Sequence, residues 1–171
     1  MKISLAVVFA ALASACAASA PDPQAPAAPV RGPAGAPMIR LYESPCYFPT
    51  CISYAIEVAP NGNYTLTRFT PGQPDTASSG ALGPDVWAKA EAAFAEADFA
   101  AMPERMAVDN MSQLGGVYCS NDLPAAEFTR SGVDGAQKKV HFNTGCGVAA
   151  PRKLLADLRE LFRYRELVRP N

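Results

Sequence analysis

Apolar and polar residues alternate along several short segments of this chain, and a period of two predicts β-strands. The first segment, MIRLYE at residues 38–43, predicts one strand. Four further segments form two pairs, each joined by a short turn, and this arrangement is typical of β-hairpins. The two pairs are residues 52–59 with 63–69, and residues 125–131 with 136–143.

Turn chemistry decides the register of the first hairpin. A two-residue Asn-Gly turn would place Ile56 opposite Thr67 and mix apolar with polar side chains. A three-residue Pro-Asn-Gly turn, with Gly62 in the left-handed conformation, places Ile56 opposite Leu66. We therefore predict the second register. One face then carries the apolar residues Ile52, Tyr54, Ile56, Val58, Tyr64 and Leu66.

The second hairpin contains a similar turn, Val-Asp-Gly at residues 133–135. The same bulged geometry pairs Phe128 with Val140 and Ala126 with Phe142. It leaves an outward set of polar residues, which are Glu127, Thr129, Lys139 and His141.

Two segments have the apolar spacing of amphipathic helices. Residues 84 to about 97 begin with Pro84, which suits the first turn of a helix, and carry the stripe Trp87, Ala90, Phe94 and Ala97. Residues 151–167 carry Leu154, Leu155, Leu158, Leu161 and Phe162. The predicted fold is α+β, with a mostly antiparallel sheet of about five strands and two helices on one face, in the order β-β-β-α-β-β-α.

The N-terminus has the pattern of an export signal. Lys2 precedes an apolar run of about ten residues, which is too short to span a bilayer. Ala13-Ser14-Ala15-Cys16 resembles the lipobox of bacterial lipoproteins, and this implies a signal peptide at residues 1–15 and acylation of Cys16. With Ala17 next, the resemblance implies the outer membrane, facing the periplasm. Cleavage at an Ala-x-Ala site, giving a secreted protein, is the alternative.

Composition then divides the rest of the chain. Residues 16–37 are almost wholly Ala, Pro and Gly, which predicts an extended tether without a packed core. Residues 38–171 are long enough for a single domain. Without Lys2, fourteen basic residues stand against sixteen acidic ones, and this balance argues against a nucleic-acid partner. The predicted partners are the membrane, through the lipid, and another envelope protein.

Four segments together resemble a known family. They are MIRLYESPC, ISYAIEVAPNGNYTLTRF, GPDVWAKAEAAFAEADF and KKVHFNTGC. They are similar to the bacterial family called domain of unknown function 6438, over about residues 38–167 of this chain. Family members usually have Cys-Phe-Gly-x-Cys-Pro, whereas this chain has CYFPTCI, with four residues between the cysteines. The resemblance implies no particular activity.

Apart from Cys16, the chain has four cysteines, and an even number in an exported protein predicts disulfides. Three pairings are possible, and we favour Cys46 with Cys51 and Cys119 with Cys146. Paired C-x₂-C zinc knuckles and a redox C-x-x-C motif are both missing from the sequence, although metal binding and free thiols remain alternatives. We predict no metal and no cofactor.

Catalytic motifs are not evident. His141 is predicted to lie opposite Glu127, but the sequence has no G-x-S-x-G motif that would supply a nucleophile beside them. The last helix is locally basic, which suits either lipid headgroups or a solvated helix face. We therefore predict a non-enzymatic envelope lipoprotein that acts by binding or scaffolding. An exported hydrolase and an inhibitor of extracellular enzymes are the alternatives.

Overall fold

The computed structural model describes residues 35–44, 51–120 and 123–168. The strands in this part of the chain are β1 Met38–Ser44, β2 Ser53–Val58, β3 Asn63–Phe69, β4 Thr76–Ala81, β5 Arg105–Met106, β6 Ala125–Ser131 and β7 Gln137–Asn143. They form one sheet in the order β4-β3-β2-β1-β6-β7-β5. Every neighbouring pair is antiparallel except β5 and β7, which are parallel. The fold is therefore α+β with a mostly antiparallel, mixed sheet.

The helices are α1 Val86–Glu96, α2 Ala149–Leu161 and the short α3 Tyr164–Leu167, and a 3₁₀ segment spans Val108–Leu114. Helices α1 and α2 contact each other and share one apolar core with the sheet. The core side of the sheet contributes alternate residues of each central strand, because side chains in a strand alternate between the two faces. The largest buried side chains of the whole core, from the sheet and from the end of α2, are Tyr54, Phe128, Phe142, Phe162, Ile39, Leu41, Ile56 and Leu66.

The register predicted for the first hairpin is confirmed. Ile56 lies opposite Leu66 and Val58 lies opposite Tyr64. The carbonyl oxygen of Ala59 accepts a hydrogen bond of 2.9 Å from the amide of Gly62, whose φ angle is +79°. The bulged three-residue turn therefore places Tyr54, Ile56, Val58, Tyr64 and Leu66 on the core face, as predicted. Ile52 is an exception, since it lies before β2 and is 46% exposed.

The second predicted register is also confirmed. Phe128 lies opposite Val140 and Ala126 lies opposite Phe142, with Gly135 at a φ angle of +77°. The four polar residues expected to point outward lie on the face away from the helices. Strand β1 lies between the two hairpins and pairs with β2 on one side and with β6 on the other. The long-range pairing with β6 joins the two hairpins into one sheet.

The prediction of about five strands in the order β-β-β-α-β-β-α is wrong in its count and order. Strand β4 was missed because TASSGA has no apolar period; all six of its residues are exposed, and it joins the sheet through β3. Strand β5 was missed because two residues are too few to show a pattern. The structure has four strands before α1, rather than three.

The last helix is also shorter than predicted. Helix α2 ends at Leu161, and Arg163 adopts the left-handed conformation with a φ angle of +52°. A left-handed residue cannot continue a right-handed helix, so the chain turns there before α3 begins at Tyr164. Of the predicted apolar stripe, Leu154, Leu155, Leu158 and Phe162 are buried.

Candidate binding face of the sheet

Because the helices pack on one side of the sheet, its other side carries the side chains that could meet a ligand. We call this side the open face. On strands β1 to β4, β6 and β7 it consists of the alternate residues Met38, Arg40, Tyr42 and Ser44 of β1, Ser53, Ala55 and Glu57 of β2, Asn63, Thr65, Thr67 and Phe69 of β3, Ala77, Ser79 and Ala81 of β4, Ala125, Glu127, Thr129 and Ser131 of β6, and Gln137, Lys139, His141 and Asn143 of β7.

Arg40 lies at the centre of the open face and connects three strands by ion pairs. Its Nε atom is 3.3 Å from an oxygen of Glu57 on β2, and its Nη1 atom is 3.1 Å from Oε1 of Glu127 on β6. The same oxygen of Glu127 is 3.0 Å from Nζ of Lys139 on β7. Two cations and two carboxylates therefore alternate across four adjacent strands, β2, β1, β6 and β7.

This charge network forms part of a wide concavity, which we call the polar groove. It has a volume of about 1140 Å³ and runs from Ser79 and Ala81 on β4, past Thr65 and Glu57, to Arg40 and Lys139. Gly35, Ala36 and Pro37, which lead into β1, also line it. Adjacent strands lie about 4.8 Å apart, so a groove that crosses this many strands could hold an extended ligand.

One residue of the open face is buried under the charged side chains. Thr129 lies between Arg40 and Lys139 in the sheet and is only 1% exposed. Its hydroxyl group has no hydrogen-bond partner among the described residues. Long basic side chains can cover apolar surface with their carbon stems, and Arg40 and Lys139 are placed to cover Thr129 in this way.

A second, smaller concavity on the open face contains His141. This His141 pocket has a volume of about 230 Å³ and is lined by Tyr42, Ser44, Leu123, Pro124, Ala125, Ala126, Glu127 and His141. Burial lowers the pKa of His141 below its ordinary value of 6.5, and the positive charge of Arg105 lowers it further. Glu127 and Asp109 oppose this shift without reversing it. The imidazole is therefore mostly neutral at pH 7.

The sequence prediction that Glu127 and His141 are cross-strand neighbours is confirmed. Glu127, however, shares one carboxylate oxygen between Arg40 and Lys139, so its negative charge is already compensated. Tyr42 and Ser44 line the same pocket. These side chains can donate hydrogen bonds to a small polar group and can accept hydrogen bonds from it.

A buried polar cluster lies on the side of strand β1 that faces the helices. Glu43 is 3% exposed, and its carboxylate accepts hydrogen bonds from Arg159 on α2, with Nε to Oε1 at 3.0 Å. The Glu43 carboxylate raises the pKa of Arg159, and burial followed by the charge of Glu43 raises the pKa of Tyr54. The guanidinium of Arg159 lies 5.2 Å from the ring centre of Tyr164 on α3. This cluster fixes the helices on the sheet and was not predicted from the sequence.

The predicted cysteine residues fall partly within the described chain. Cys119 and Cys146 are bonded to each other, which joins the segment after the 3₁₀ helix to the loop after β7. Cys51 is a disulfide-bonded cysteine, and Cys46, its predicted partner, lies outside the described residues. The predicted signal peptide and lipidation site Cys16 also lie outside them.

Most of the described basic residues in the last two helices are already engaged. Besides Arg159, Lys153 pairs with Glu96 and Asp157, and Arg163 pairs with Glu166. Arg152 donates a hydrogen bond of 2.9 Å to the carbonyl oxygen of Cys146. These contacts indicate that the basic residues hold the helices in place. They do not form a free basic surface.

No protein-family model matches this chain, and no curated protein matches it either. The resemblance to domain of unknown function 6438 therefore stays a prediction. In the part of the chain that the structure describes, no helix is long and apolar enough to cross a membrane. The same residues contain no group of three or more His, Cys, Asp or Glu side chains placed to hold a metal ion.

Proposed function

We propose that this chain is an exported, lipid-anchored binding protein of the bacterial cell envelope, and that its polar groove holds an extended polypeptide segment of another envelope protein. The groove carries the proposal, because it crosses the sheet and has charges of both signs along it. A polypeptide offers amide donors, carbonyl acceptors and charged side chains, so it can meet Arg40, Glu57 and Lys139 in turn.

The electrostatics of the groove favour recognition by pairing over bulk attraction. Arg40 and Lys139 are each compensated by a carboxylate, so the groove has no strong field of one sign. Complementary charges of this kind contribute to specificity and register more than to affinity. We therefore expect a ligand with alternating charge rather than a uniformly acidic or basic one.

The groove can be tested by cross-linking in native envelopes. A photoreactive amino acid at Thr65, which lines the groove, is expected to form a covalent product with a protein partner. The same group at Lys89, exposed on α1, is the matched control and is expected to form none. Lys139→Glu should remove the Thr65 product, since it places a negative charge beside Glu127. Equal products at both positions, or a product that Lys139→Glu leaves unchanged, would contradict the proposal, as would the capture of glycan alone.

The anchor is tested separately by the mass of the mature protein. We expect protein purified from membranes to begin at Cys16 and to carry fatty-acyl mass, and Cys16→Ser to release the domain from the membrane fraction. A product that begins at Met1 without acyl mass would overturn the export and anchoring parts of the proposal.

A further inference from the structure

The sheet ends at two edges within the described chain, and they differ in kind. Strand β5 is two residues long and includes the charged Arg105, with Glu104 and Pro103 before it. Short length, charge and proline are the devices by which proteins protect a sheet edge from other strands. Strand β4 has six residues, no charge and no proline, and all of them are exposed. It therefore lacks these devices within the strand, and Pro74 and Asp75 lie just before it.

The hydrogen-bonding direction of β4 follows from the first hairpin. The amide of Ala59 donates to the carbonyl of Asn63 at 2.9 Å, so the main chain of Asn63 points toward β2. This direction alternates along a strand, so Leu66 points toward β4 and its partner Ser78 points back toward β3. The residues of β4 that alternate with Ser78 point their amide and carbonyl groups away from β3, toward the free edge of the sheet. They are Ala77, Ser79 and Ala81.

We propose that β4 pairs with β4 of a second copy of this chain, antiparallel and about a two-fold axis at Ser79. In this register Ser79 faces its own copy, and Ala77 of each copy faces Ala81 of the other. All three outward-pointing residues then bond to one another, and paired residues share a face, as antiparallel geometry requires. Shifting the axis to Ser78 would leave Ala81 opposite Asp75, which precedes the strand.

The side chains along this edge suit a second copy better than a foreign peptide. Peptides that add a strand gain specificity from pockets for alternate side chains. Here the outward residues offer only methyl and hydroxymethyl groups, which neither repel their own copies nor select a partner. Ser79 and Ala81 also line the polar groove, so the two-fold axis joins the grooves of both copies end to end. The resulting contact is isologous and closed.

Such a dimer is weak in dilute solution. A single short strand pair buries much less than the roughly 1,200 Å² of a stable interface. Tethering both copies to one membrane, which rests on the proposed anchor, raises their effective concentration toward the millimolar range. We therefore expect the dimer to form on vesicles and only at high protein concentration in detergent.

Cysteine cross-linking of the full chain on lipid vesicles tests the register. The Cα atoms of a hydrogen-bonded antiparallel pair lie about 5.5 Å apart, within disulfide range, so Ser79→Cys should give a covalent dimer under a mild oxidant. Ala81→Cys, on the same exposed strand, should not, because the two copies of residue 81 would lie roughly 14 Å apart along the strands. The double variant Ala77→Cys/Ala81→Cys should restore the cross-link.

A charge variant gives a second readout. Ser79→Lys places two ammonium groups at the axis and should abolish the vesicle dimer, whereas Val133→Lys, at a position that is 87% exposed in the β6–β7 turn, should not. Equal cross-linking of Ser79→Cys and Ala81→Cys would overturn the self-pairing. So would a full chain that stays monomeric on vesicles while Thr65 still captures its partner, and that result would leave the proposed function standing.

Discussion

Glu43 and Arg40 lie on the same strand and show how burial changes the way in which a charge is compensated. Arg40 lies on the open face, where solvent helps to compensate its charge. Glu43 lies among core residues, and it is compensated by the guanidinium of Arg159. A buried charge that loses its partner is far more costly than an exposed one, because water cannot replace the lost contact.

Arg159→Ala should therefore lower the free energy of unfolding by about 2–4 kcal/mol, since it leaves the Glu43 carboxylate buried without a cation. Chemical denaturation measures this loss. Arg163→Ala is the control, because Arg163 and Glu166 form an exposed pair, and such pairs contribute little. Equal losses in the two variants would show that Glu43 is adequately solvated in the fold.

The pKa of His141 should lie below 6.5 in the folded protein, because burial and Arg105 disfavour the imidazolium. The unfolded chain binds this proton more readily. The contribution to stability is therefore fully present above pH of about 6.5 and is lost as the pH falls toward the lower folded pKa. NMR titration of the ring gives the value directly.

Arg105→Gln separates the two causes of this shift. It removes the positive charge of Arg105 and leaves the burial of the ring, so the pKa of His141 should rise. A value at or above 6.5 in the unsubstituted protein would show that water reaches the ring freely.

At the scale of elements, turn chemistry explains why both hairpin registers could be predicted. Gly62 and Gly135 each end a three-residue turn, and only one register across that turn places apolar side chains opposite apolar side chains. The missed elements have no comparable signal. All six residues of strand β4 are exposed, and its side chains carry no apolar period. The end of α2 depends on Arg163 in a conformation that non-glycine residues rarely adopt, so the composition of the segment favoured one continuous helix.

Gly62→Ala should destabilise the protein by more than Gly72→Ala. Both residues have positive φ angles, +79° and +72°, so both substitutions strain the backbone by about 1 kcal/mol. Of these two positions, only at Gly62 would the new Cβ atom clash with another group, the carbonyl oxygen of Gly83. Thermal or urea denaturation of the pair isolates the clash. Equal losses would mean that the loop before α1 yields without cost.

At the scale of the whole molecule, the candidate site could be predicted only in part. Glu127 and His141 meet within one hairpin, so their pairing followed from local pattern. Arg40 reaches Glu127 only because β1 pairs with β6, and no local signal specifies a pairing so distant in sequence. The polar groove could not be predicted, because one of its ends lies on β4, which was itself missed.

The Cys119–Cys146 bond spans a separation of 27 residues, and closing such a loop is worth roughly 3–4 kcal/mol. The double variant Cys119→Ser/Cys146→Ser should lose about this much free energy of unfolding in urea denaturation. The double variant Cys46→Ser/Cys51→Ser is the comparison, because its predicted bridge closes a shorter loop and should be worth about 2 kcal/mol. A larger loss in the second variant would contradict this ranking.

The pairing of β1 with β6 also constrains how the molecule is made. Residues 38–44 form main-chain hydrogen bonds with residues 125–131. One edge of the first strand therefore stays unpaired until a segment much later in the chain has been synthesised. Loop closure over such a distance is slow compared with local hairpin formation. A nascent polypeptide halted before residue 125 would expose the edge of β1 that pairs with β6, and of the two hairpins only the first could have formed. The strand completes its hydrogen bonding only after the C-terminal half of the chain has been synthesised.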